Sequence, residues 1–160
     1  MDVKAKVNQL IKRCGTDNPV AIAKELGIKV MYAPLGGRKY GNYIKYKRVK
    51  TIIIDRDILP PHLFRFVFAH ELGHAMCTPN ENTQWLDQNT LGVNSSRVEY
   101  IANHFATELL LNDRYLQDHA TSSIYALANQ QGVPESFVGF KAIKKIRPSM
   151  NGYKERICLY

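Results

Sequence analysis

Apolar positions Val3, Val7, Leu10 and Ile11 recur at helical spacing, which predicts a first helix over residues 3–13. Asn18-Pro19, a capping residue followed by proline at the first helical position, opens a second short helix that stops at Gly27. The period then becomes strand-like. Residues 28–32 read as a strand, Gly36-Gly37 as a turn, and the runs 41–46 and 50–55 as a hairpin. Pro60-Pro61 marks the entry to a helix over residues 63–76, apolar enough to be largely buried. The polar, turn-rich residues 78–96 predict a long loop, a candidate lid because long loops in compact domains are more often functional than accidental. A strong helix follows over residues 96–111, capped by Ser95 or Ser96. Two more are expected near 122–131 and 134–146, separated by Gly132-Val133-Pro134. Helices, a small antiparallel sheet, then helices make a mostly helical α+β fold.

A chain of 160 residues supports one hydrophobic core, so a single domain over 1–160 is expected. Residues 1–116 would form its working core, with a helix-turn-helix-like pair over 120–147 packed on it. No apolar stretch approaches the roughly 20 residues of a membrane-spanning helix. The N-terminal MDVKAKVNQLIKRC lacks an uninterrupted signal-peptide core, so a cytoplasmic location is expected and membrane association is not. Cys14, Cys77 and Cys158 are sparse, odd in number and free of C-x-x-C spacing, which fits free thiols in a reducing compartment. The net charge of +8 is unevenly placed. Residues 57–140 hold 3 Lys/Arg against 9 Asp/Glu, and both flanking segments are basic. A cation would be bound in the acidic middle; the basic ends could face nucleic acid or an acidic partner, or simply be solvated.

Residues 70–74 read H-E-L-G-H inside the predicted core helix. His70 and His74, four apart, stack on one helix face, and two imidazole nitrogens at that spacing can meet one zinc ion. Glu71 is rotated about 100° away, poorly placed to share the ion but able to reach a water bound to it. Two ligands and one base is the division of labour that the His-Glu-x-x-His order provides. Buried imidazoles beside a carboxylate need partners, and a metal supplies them.

A catalytic zinc takes a third protein ligand and leaves a fourth position to water. The candidates are Asp87, Glu99, His104, Glu108, Asp113, Asp118, His119 and Cys77. Glu99 is preferred, because it opens the apolar run E-Y-I-A-N-H-F-A, where a lone charge would be costly. Asn103 shares its face at i+4 and could hydrogen-bond a ligating imidazole. Ala102 and Ala106 would let this helix approach the first closely. His104 is rotated about 140° from Glu99, which points it elsewhere. Cys77 as a fourth ligand would close the site, and an inert buried thiol is preferred.

At these residues the sequence resembles the ImmA/IrrE family of metallopeptidases. The resemblance rests on A-x-x-L-G-I-K-V at 23–30, the H-E-L-G-H helix, and E-x-x-A-N-x-F-A followed by Leu109-Leu110-Leu111. It implies a gluzincin-like zinc endopeptidase with His70, His74 and Glu99 as ligands and Glu71 as general base. It also implies a substrate, since small members from phages and mobile elements cleave a helix-turn-helix repressor encoded beside them. The sequence departs from the family at Asn112-Asp113, where a proline often stands, and at Met76-Cys77, where another histidine is common.

Three finer expectations follow. A substrate strand would add to residues 51–54. An oxyanion donor would come from Tyr43, Tyr46, Tyr100, Tyr115 or His104. Ala128, Gly132 and Val138 match the A-x3-G-x5-V spacing of a DNA-binding helix-turn-helix. An αα-corner packed on the core is the preferred reading of that spacing. Glu135, Ser136, Phe137, Gly139 and Phe140 would occupy the recognition positions, and they are poor base readers. A non-proteolytic repressor-sequestering or DNA-binding regulatory protein is the alternative function.

Overall fold

The helix expected to be buried is the spine around which the rest is arranged. The structure, a computed structural model, describes residues 1–37, 39–80, 86–87 and 97–141. In chain order it has α1 (Val3–Cys14), α2 (Pro19–Glu25), β1 (Lys29–Tyr32), β2 (Lys39–Tyr46), β3 (Val49–Ile54), α3 (Phe64–Cys77), β4 (Leu86–Asp87), α4 (Arg97–Leu110), α5 (Asp113–Asp118) and α6 (Ile124–Gln131). A 3-10 turn, Pro61–Leu63, leads into α3, and a 3-10 helix, Glu135–Phe140, follows α6.

The local signals act as their chemistry requires. Asn18 caps α2 by accepting from the amides of Val20 and Ala21. Val3, Val7 and Leu10 turn the apolar face of α1 into the core. Phe66, Phe68 and Leu72 of α3 and Phe105 and Leu109 of α4 are fully buried. Ile52 and Ile54 of β3 join the same core from the sheet.

The fold is α+β, and its sheet is mixed rather than wholly antiparallel. The strand order is β1-β3-β2-β4, with β2 and β3 an antiparallel hairpin and β1 parallel to β3. The reason lies in the crossing after Tyr32. Gly36 and Gly37, at φ 72° and 66°, turn the chain past the end of β3 to begin β2 on its far side. Returning from β2, β3 then runs in the same sense as β1. Residues 51–54 are consequently paired on both edges, with β1 and with β2, so no substrate strand can add there. That expectation is corrected.

The C-terminal region also differs from the sequence reading. Asn112 accepts from the Tyr115 amide and opens α5, a helix not foreseen between 112 and 122. The helix expected over 134–146 is a 3-10 helix confined, among the described residues, to Glu135–Phe140. Residues 142–160, including Cys158, lie outside the described residues, as do Ser95, Ser96 and most of the expected 78–96 lid.

Candidate metal centre

Helix α3 presents His70, Glu71 and His74 to the interior, all three buried. Gly73, between the histidines, is what lets α4 come close. A Cβ there would stand 3.1 Å from both Cα and O of Ala102. A glycine inside a helix costs about 1 kcal/mol relative to alanine, and close backbone packing is a reason to keep one. The foreseen small residue Ala102 thus packs against an unforeseen one.

The approach carries Glu99, in the first turn of α4, across to the two imidazoles. Its Oε2 lies 3.2 Å from His70 Nε2 and its Oε1 3.4 Å from His74 Nε2. The two Nε2 atoms are 2.9 Å apart. Asn103, one turn beyond Glu99, places Oδ1 2.8 Å from His70 Nδ1. A carbonyl oxygen only accepts, so His70 Nδ1 donates and Nε2 turns a lone pair toward the cluster. His74 Nδ1 has the Thr78 hydroxyl at 3.4 Å, a longer contact that either group could donate.

Two imidazole lone pairs and a carboxylate therefore converge, their ligand atoms all within 4.8 Å of one another. Three acceptors facing each other require positive charge between them. The charges respond accordingly. Burial would raise the Glu99 pKa, but with protons on the facing Nε2 atoms in place of an ion, hydrogen bonds from both histidines overcome it and hold the carboxyl down at about 2. Burial brings His74 down to about 4, so that ring stays neutral and able to coordinate. Burial also favours neutral His70, but its hydrogen bond with Glu99 and the charges of Glu71 and Glu99 draw it upward. The cluster could hold a metal ion. A four-coordinate ion with ligands at roughly 2.0–2.2 Å sets them about 3.3–3.5 Å apart, close to the separations found.

Glu71 faces the other way, toward the sheet. The backbone amide of Tyr43 in β2 donates to its carboxylate, while Oε2 has no hydrogen-bond partner among the described residues. Burial, followed in the same direction by the charge of Glu99, pushes its pKa up to about 7, with His70 and the Tyr43 amide opposing. A carboxylate poised near neutrality can take a proton and return it.

The remaining candidates go elsewhere. Glu108 receives the Lys141 ammonium at 2.7 Å and Asp113 that of Lys4 at 2.8 Å. His104 is 3.7 Å from Glu108, Asp118 pairs with Arg114, and exposed His119 places Nδ1 against the Tyr115 carbonyl. Burial raises the half-buried Cys77 thiol to about 11, which disfavours a ligating thiolate. The side chain of Asp87 is outside the described residues. Of the oxyanion candidates, Tyr43 donates its hydroxyl to the Pro79 carbonyl and Tyr115 donates to Gln130. Tyr46 is exposed, and Tyr100 and His104 pack against Phe140. Ala128, Gly132 and Val138 all face inward, and Phe137 stacks on Phe66 of α3. These residues pack on the core, but the second element is a 3-10 helix, not the second α-helix that an αα-corner would have.

With this geometry in place, the chain belongs to the peptidase family whose defining domain is described as IrrE N-terminal-like, which it matches over residues 23–142. It is 33% identical over 147 residues to uncharacterized immunity region protein 2 of Bacillus phage phi105, covering 91% of this chain and 92% of that protein. It is 32% identical over 116 residues to metallopeptidase ImmA of Bacillus subtilis strain 168, covering 72% and 67%. A metallopeptidase family implies a metal ion, and the donor set of His70, His74 and Glu99 fits one.

Proposed function

We propose that this protein is a zinc-dependent endopeptidase that cleaves a helix-turn-helix transcriptional repressor and so relieves repression. His70, His74 and Glu99 would hold the ion, with Asn103 fixing the His70 tautomer. When bound, zinc supplies a water of lowered pKa and a polarised scissile carbonyl. Glu71 would take a proton from the attacking water through Oε2, which has no partner among the described residues, and return it to the departing amine. The single observation that carries the reading is the convergence of two buried imidazoles, the His70 ring oriented by Asn103, and a carboxylate on one point. Zinc is preferred over harder cations because the donor set is two nitrogens and one oxygen.

The names of the relatives support the substrate class. One is a metallopeptidase and the other a phage immunity region protein. A repressor substrate also places the work in the cytoplasm. In this reading residues 1–116 carry the chemistry, and the described part of the C-terminal segment, through residue 141, braces α3 from behind through the Phe137–Phe66 stack.

The test is coexpression with the repressor encoded beside the gene, comparing wild type with Glu71→Gln. Cleavage is expected in wild type only, with the variant retaining zinc and losing at least about 10²-fold in rate. Intact repressor in both lanes would mean sequestration rather than proteolysis. Equal cleavage in both would remove Glu71 from the mechanism.

A further inference from the structure

Four glycines of this chain explain themselves. Gly15, Gly27, Gly36 and Gly37 have positive φ and open space where a side chain would stand. Gly41 is the reverse case. It lies within β2 with no positive φ, so its backbone asks for no glycine, yet it is crowded. A Cβ there would stand 2.9 Å from Glu71 Oε1, 3.0 Å from Glu71 Cγ and 3.0 Å from Val67 Cγ1. The strand cannot yield easily, so a side chain at 41 would displace the Glu71 carboxylate, the movable end of its side chain. Gly41 is held in register opposite Ile54 of β3, and Val67 and Glu71 sit on the buried face of α3.

We propose that Gly41 is a positioning residue for Glu71: the bare strand at 41, together with the Tyr43 amide, seats one carboxylate oxygen and leaves the other for the attacking water. The seat is asymmetric. Oε1 lies against Gly41, Tyr43 supplies the backbone donor two residues on, and Oε2 has no partner among the described residues. Holding a base by one oxygen fixes its rotamer before substrate arrives, and misplacing such a group by about 1 Å can cost roughly 10²-fold in rate. A different role for the glycine must be separated from this one. The β2–β4 register shifts between Lys39 and Gly41, and glycines in strands often mark such irregularities.

The kinetic part rests on Glu71 acting as the base, whereas the steric part does not. The experiment is therefore a thermal double-mutant cycle on zinc-reconstituted protein, Gly41→Ala with and without Glu71→Ala, together with turnover and zinc content of the single variant. Gly41→Ala is expected to lower Tm by several degrees, and the drop should shrink by at least half when Glu71 is already alanine. Zinc content should be unchanged. Turnover should fall about 10- to 100-fold in kcat with little change in KM. If Gly41→Ala fails to fold, recovery of folding in the double variant supports the seat, and failure of both overturns it. An equal Tm drop in both backgrounds, or loss of zinc in Gly41→Ala, also overturns it. A wild type that never cleaves, with thermal coupling intact, would defeat the protease reading and leave the seat standing.

Discussion

Helix α4 carries two buried carboxylates, Glu99 at 5% exposure and Glu108 at 3%, and they end in opposite surroundings. Glu108 meets a partner that brings its own charge. Lys141 reaches it at 2.7 Å and also touches Asp113 at 3.0 Å, which in turn holds Lys4. Those charges close on themselves. Glu99 meets two imidazoles, one of which burial keeps neutral, and neither is a permanent cation. Burial of a carboxylate is thus no sign of a metal by itself; the partners decide. Where lysines surround it, the carboxylate belongs to the scaffold, and where neutral nitrogens do, the site calls for an ion.

The largest expected effect comes from breaking the closed cluster. Lys141→Met should leave the Glu108 charge buried without its amine and cost about 3–5 kcal/mol in denaturant unfolding. Replacing both, as Glu108→Leu with Lys141→Met, should recover most of that loss. If the single variant is as stable as wild type, the two carboxylates do not differ in the way described.

At the open cluster, Asn103→Ala should release the His70 ring and weaken zinc binding roughly 10- to 100-fold in a competitive chelator titration. Unchanged affinity would mean that the 2.8 Å contact does not hold the ligand.

The smallest effect is in acid. Burial would raise the Glu108 pKa, but hydrogen bonds from His104 and Lys141 outweigh it and lower it; Asp113 is lowered likewise by Lys4 and Lys141. A depressed folded-state pKa means stability that is complete above the unfolded carboxylate values, about 4, and lost as pH falls through the folded ones. Between pH 7 and 3 the Tm of wild type should fall more steeply than that of the Glu108→Leu, Lys141→Met pair. Parallel curves would exclude the ion pairs as the source.

How much of this was legible beforehand follows from sequence distance. His70 and His74 are spaced by one helical turn, and Glu99 with Asn103 by another, so periodicity alone aligns each pair and sets Glu71 to one side. Their meeting depends on α3 packing on α4, which the small Ala102 hinted at and Gly73 completes. Gly41 escaped because its reason lies on another element, thirty residues further on. The parallel placement of β1 escaped because hydrophobic alternation reports faces of a strand, not its neighbours. Asn112-Asp113 read as a departure from a family pattern, whereas the structure uses Asn112 as the cap of α5. The last helix read as α-helix from its apolar period, whereas its described part, Glu135–Phe140, is a 3-10 helix. Lys141, which instead ends it in an extended conformation, is drawn to Glu108 by a contact no local pattern encodes.

The central claim is that one transition-metal ion sits between His70, His74 and Glu99. Elemental analysis of zinc-reconstituted, exhaustively dialysed protein tests it most directly. One zinc per chain should remain in wild type and none in Glu99→Gln, while Glu108→Gln keeps its ion. A wild type that retains no zinc, or a Glu99→Gln variant that retains as much, would contradict it.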